Sequence, residues 1–127
     1  MKHLRTFNES KKAKFPNIKT FNFNNYVILL GKDALSNDYL STTMAKPEDL
    51  WFHASKVPGS HVVIQSQGAD IPEDVIKFAA ELAAKNSKSK VSPTVVIYCL
   101  AKYVTKKLDM EPGEVNVDYK HSDYIKV

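Results

Sequence analysis

Cysteine and arginine are nearly missing from this sequence: Cys99 and Arg5 stand alone in 127 residues. One thiol cannot close an internal disulfide, and no Cys or His cluster has zinc spacing, so no metal and no cofactor are expected. That usage fits a reduced, cytoplasmic compartment. A single arginine also excludes a surface built on forked guanidinium contacts to guanine; lysine, a mobile point charge, must serve instead. Long apolar runs are missing too. The longest, residues 95–101, falls far short of the ~18 residues of a membrane span. No apolar stretch follows Lys2, His3 and Arg5, so neither a secretory leader nor a membrane partner is expected.

What is present suits one domain. The chain is 43% hydrophobic and 25% charged, and at this length it can hide roughly two-thirds of its unfolded surface, enough for one core. The net charge of +4 lies wholly in residues 1–14, where Lys2, Arg5, Lys11, Lys12 and Lys14 face only Glu9. These residues lack an apolar period and read as a flexible basic arm, with the folded domain over 15–127. Within the neutral remainder, Lys85, Lys88, Lys90, Lys102, Lys106 and Lys107 occupy a stretch, 82–108, that holds no acid. If they converge, the body has a basic pole that attracts phosphate chains. The competing reading is a solvated face that keeps a small protein soluble.

Local patterns predict an α+β fold, a largely antiparallel sheet with one long helix and one short helix. Residues 21–23 and 26–30 flank Asn24-Asn25, a pair tolerant of positive φ, and predict a hairpin. Residues 35–45 predict a short helix with Asp33 or Ser36 as cap, stopped before Pro47. Residues 49–54 and 61–65 predict two strands joined by a polar turn containing Pro58-Gly59. The long helix is expected over 71–85, with Pro72 in its first turn and Val75, Ile76, Ala79, Leu82 and Ala83 on its inner face. The β-branched run 95–99 predicts an interior strand, which 102–106 would continue after a kink. Residues 114–118, with Val115 and Val117 on one side, and 123–127 predict two short strands.

The second hairpin carries the chemistry. Pairing Leu50, Phe52 and Ala54 with Val62 and Ile64 gathers the apolar residues and leaves Trp51, His53, His61 and Gln65 on the opposite face. Three readings of that face compete. The histidines could bond locally while Trp51 covers a second small core. Trp51 could instead offer a stacking plane, with His53 and His61 as donors or acceptors and Lys56 in reach of phosphate. Or a histidine could act as general base near Asp49, Ser55 or Ser60, although nothing in the spacing enforces a triad. Ser60 belongs to the turn, and Ser87 either ends the long helix or offers a hydroxyl to phosphate beside Lys88.

The segments Asp49-Leu50-Trp51-Phe52-His53-Ala54 and Val57-Pro58-Gly59-Ser60-His61-Val62-Val63-Ile64 closely resemble the signature of NFACT-R domains. These are the RNA-binding modules of the NFACT ribosome quality-control proteins. The resemblance extends to Gly31-Lys32, to Ala79-Ala80-Glu81-Leu82-Ala83-Ala84 with Ser87-Lys88, and to Pro112-Gly113-Glu114-Val115. It implies RNA, tRNA or ribosomal RNA, as ligand, the ribosome as a further partner, and a free-standing version of the module. Together these residues predict a non-enzymatic RNA-binding module whose surface combines Trp51, His53, Lys56, Ser60, His61, Ser87, Lys88, Lys90, Lys102, Lys106 and Lys107. About five phosphate contacts would give a log-affinity slope near −3.5 against log salt for single strands. The alternatives are an RNA-modifying or hydrolytic enzyme using a hairpin histidine, and a ribosome-associated protein-interaction adaptor.

Overall fold

The structure, a computed structural model, describes residues 15–127, and the basic segment 1–14 lies outside the described residues. Strands β1 (Ile18–Phe23) and β2 (Tyr26–Gly31) form the first hairpin. Asn24 and Asn25, at φ 48° and 69°, make the left-handed two-residue turn that matches strand twist. Helix α1 (Ala34–Tyr39) follows, capped by Asp33, whose carboxylate accepts the Ser36 N–H at 2.8 Å. That bond holds the Asp33 pKa below its usual range. A π-helical turn (Leu40–Met44) extends the helix and closes with the Ala45 N–H on the Leu40 carbonyl.

Strands β3 (Leu50–Ala54) and β4 (Val62–Ile64) are joined by the predicted turn. Helix α2 runs Glu73–Lys85, two residues shorter at its start than the pattern predicts. Pro72, extended at ψ 150°, caps the helix from outside its first turn. Strand β5 (Val95–Leu100) lies inside the sheet, as its β-branched run predicts. The expected continuation over 102–106 does not form. A 3₁₀ turn at Ala101–Tyr103, pinned by the Ala101 N–H on the Asp49 carbonyl, swings the chain away. Val104–Thr105 (β6) then pairs with Asn116–Val117 (β7) in a separate ribbon. The last strand, β8 (Asp123–Lys126), returns to the sheet.

The main sheet has the order β1-β2-β4-β3-β5-β8, and every pairing is antiparallel. The fold is α+β. Leu50 opposes Ile64 and Phe52 opposes Val62, the register that sorts the two faces as anticipated. Phe52, Val62 and Ile64 meet Val75, Ala79, Ala80 and Ala83 of α2 in the larger core. The small alanines let helix and sheet approach closely. On the other face Trp51, Val63 and Ile97 are covered by Leu40 of the π turn and by Val104 of the ribbon, forming a second core.

Candidate nucleic-acid interface

Trp51 is 1% exposed, and so is His61. The indole N–H donates to Ser41 Oγ at 2.8 Å, and Ser41 Oγ lies 2.7 Å from His61 Nδ1. His61 Nε2 lies 3.1 Å from the Gly113 carbonyl oxygen. A carbonyl only accepts, so Nε2 carries the proton, Nδ1 accepts, and the Ser41 hydroxyl donates to it. Burial, with His53 as a further cause, pushes the His61 pKa down to about 3. The ring is therefore neutral with both nitrogens engaged. It can act as a base only if this chain of bonds breaks.

Trp51 consequently has no open face for a base, and the reading in which it covers a second core is the one the packing matches. The cover comes from the π turn, shortly before the hairpin in sequence, and from the β6–β7 ribbon, far beyond it. His53 differs. It is half-buried beside Trp51 (5.9 Å between ring centroids) and edge-on to His61 (5.2 Å). Burial lowers its pKa, with a Gly59 backbone interaction opposing. Any chemistry by a hairpin histidine would rest on His53.

The turn 55–60 is locked from two sides. Ser60 N–H donates to the Asn86 carbonyl and Lys88 N–H to the Pro58 carbonyl, joining the turn to the exit of α2. Asn37 of α1 accepts the His61 N–H at 3.0 Å and donates to the Gly59 carbonyl at 3.3 Å. A Cβ on Gly59 would lie 2.7 Å from Ser87 Cβ, so glycine is required there by close approach. Ser87 Oγ donates to the Ala84 carbonyl and accepts the Ser89 N–H, which spends the hydroxyl on ending the helix.

Of the predicted lysines, the structure brings Lys56, Lys88 and Lys90 to this end of the sheet, all exposed. Ser89 and Val91 line a groove of about 740 Å³ that Lys56 and His53 also line, whereas Lys88 and Lys90, next to them in sequence, are outside its lining. Lys102 does not join them. It pairs with Glu48 at 3.0 Å, before the start of β3, whereas the turn follows its end. Lys106 is held by Asp38 at 3.2 Å and by the Glu111 and Glu114 carbonyls. Asp38 also accepts the Gly113 N–H, so Lys106 and Asp38 together strap the 111–114 loop over His61. Lys107 is exposed, precedes that loop in sequence and lies outside the groove lining. The single basic pole anticipated from the charge run is thus split, because acids distant in sequence claim two of its members.

Residues that the sequence reading passed over complete the groove. Tyr119 (68% exposed) and Tyr124 (54% exposed) stand in its wall. Tyr124 opposes Ile97 of β5, whose side chain lies in the second core, so Tyr124 shares that face of the sheet. The alternation of Tyr124 with inward Ile125 was the available signal. A second groove, about 530 Å³, lies across His53 and is lined by Lys32, Ser60 and Asn86 among others. Among the described residues no group of three His, Cys, Asp or Glu side chains is placed to hold a metal ion, and no helix is long and apolar enough to cross a membrane.

The chain matches the family described as the NFACT protein RNA binding domain over residues 14–119. It is 40% identical over 99 residues to Rqc2 homolog RqcH of Bacillus subtilis, covering 77% of this chain and 17% of that protein. Coiled-coil domain-containing protein 25 of Mus musculus is 33% identical over 100 residues, covering 74% of this chain and 48% of that protein. The solved structure of the C-terminal of the fibronectin/fibrinogen-binding protein from Streptococcus suis is similar with a TM-score of 0.80 at 36% identity, over 91% of this chain and 46% of that one. The chain therefore spans about a sixth of the RqcH relative and about half of the coiled-coil relative.

Proposed function

The chain belongs to the NFACT protein RNA binding domain family, and from that premise we propose that it is a non-enzymatic module engaging tRNA or ribosomal RNA in ribosome-associated quality control or RNA metabolism. Lys56, Lys88 and Lys90 neutralise phosphates around the second hairpin turn, and the neighbouring groove takes the rest of the ligand. The observation that carries this reading is the conformation of Lys56. It is held at φ 63°, where asparagine or glycine would sit at lower cost, in a turn fixed by α1 and α2. A lysine kept in a strained position on a rigid support points to a use for its charge. Backbone contacts of this kind position an RNA chain and carry little base specificity.

Titration of labelled tRNA by fluorescence anisotropy across a salt series tests it. Three phosphate contacts give a slope of about −2 in log affinity against log salt, shallower than five would give. Replacing Lys56, Lys88 and Lys90 together by glutamine should bring the slope close to zero, each lysine removing about 0.7. Lys102→Gln, at a lysine already paired with Glu48, should leave it unchanged. Affinity independent of salt in the unaltered protein would contradict the reading.

A further inference from the structure

The lysines at the turn account for attraction to any phosphate chain, single or double. The groove beside them has a different character. Its floor is apolar, with Ile97 and Val95 of β5, and Val91, Tyr119 and Tyr124 expose large apolar surfaces at its edge. Val91 is 70% exposed, level with Tyr119 and more uncovered than Tyr124. At about 740 Å³ the groove falls in the range, roughly 300–1,000 Å³, of sites that enclose a small organic group. A lysine at the turn gives a phosphate a partner at one end of the groove. Lys56 lines that end, Lys88 is tied to the same turn by its N–H on the Pro58 carbonyl, and Glu114 is the one acid in the lining.

Building on the RNA-binding reading, we infer that this groove receives an unpaired nucleotide of a single-stranded RNA segment, its base against the Tyr119 and Tyr124 rings and its phosphate toward Lys56. The geometry favours an unpaired base because a tyrosine ring can cover only a base face that no neighbouring base already covers. In a duplex both faces are stacked within the helix, and the edges alone are presented. Aromatic rings beside lysines are the recurring arrangement for holding single strands without regard to sequence. The domain accordingly selects loops, bulges or strand ends of an RNA over its paired stems.

The test compares a ten-nucleotide single-stranded RNA carrying one 2-aminopurine with the same strand annealed to its complement. The unaltered protein should bind the single strand about tenfold or more tightly than the duplex, with quenching of 2-aminopurine as it stacks. Tyr119→Ala with Tyr124→Ala should lower single-strand affinity by about fivefold to thirtyfold and leave duplex affinity where it was. The phenylalanine pair, which keeps both rings, should bind as the unaltered protein does. Emission from Trp51, buried in the second core, reports that each variant is folded. Equal affinity for strand and duplex, or unchanged single-strand binding in the alanine pair, overturns the groove assignment while salt-dependent lysine binding survives. No binding of either RNA overturns the RNA-binding reading as well.

Discussion

His61 makes the stability of this domain depend on pH in a direction and amount that can be worked out in advance. Its pKa is pushed from an ordinary 6.5 to about 3 by burial. Well above pH 6.5 the ring is neutral in the folded and the unfolded chain, and its titration contributes nothing. Below 6.5 the unfolded chain takes up a proton that the folded chain refuses until about pH 3. Stability is therefore full at high pH and falls as the pH drops, by about 1.4 kcal/mol per unit within that window. At pH 5 the loss relative to pH 8 is about 2 kcal/mol. Urea unfolding followed by fluorescence measures this directly, since Trp51 is the only tryptophan and lies beside the imidazole. His53 has its pKa lowered too and adds a loss of the same sign. Comparison with His61→Gln removes that contribution, because His53 titrates in both proteins. Glutamine can still donate to Gly113 and accept from Ser41. The stability difference between the two proteins should shift by about 2 kcal/mol from pH 8 to pH 5, against glutamine's favour at the higher pH. A difference that stays constant over this range would refute the buried, neutral imidazole.

Two further outcomes follow from the same geometry. Ser41→Ala removes the hydroxyl shared by the Trp51 N–H and His61 Nδ1, leaving two buried polar groups without partners. The expected cost is about 2–4 kcal/mol in urea unfolding, and a loss under about 1 kcal/mol would mean that water enters and replaces the hydroxyl. Lys56→Gly gives the turn a residue at ease at φ 63°, so stability should hold or rise by up to ~1 kcal/mol while tRNA affinity falls about fivefold. Simultaneous loss of stability, read in the same urea experiment, would show that the lysine stem packs on the turn.

Much of the scaffold is legible from local pattern. Asn24-Asn25 announces its hairpin because few side chains accept two successive left-handed conformations. The alternation Leu50, Phe52 against Trp51, His53 sorts the faces of β3 correctly because period-two geometry admits one apolar pairing. What covers the second face is a tertiary matter. Leu40 reaches it from a π turn and Val104 from a ribbon formed only after the chain leaves the sheet, and no local period marks either. The lysines fail for a related reason. Whether an ammonium group is available depends on its partners, and Lys102 finds Glu48 across 54 positions of sequence. Tyr124 was readable from its alternation with Ile125. Tyr119 sits on a 3₁₀ turn, where alternation does not apply.

The hairpin turn does not own its shape. Asn37 Oδ1 occupies the space a side chain on Gly31 would need, with 2.1 Å between them, and the same amide holds Gly59 and His61, while Gly59 rests on Ser87. Residues from four separate stretches of chain thus form a single mechanical joint. A peptide copied from residues 49–65, or a loop graft onto another scaffold, would carry the signature letters without the form they take here. Redesign of the turn has to treat Gly31, Asn37, Gly59 and Ser87 as one unit of variation.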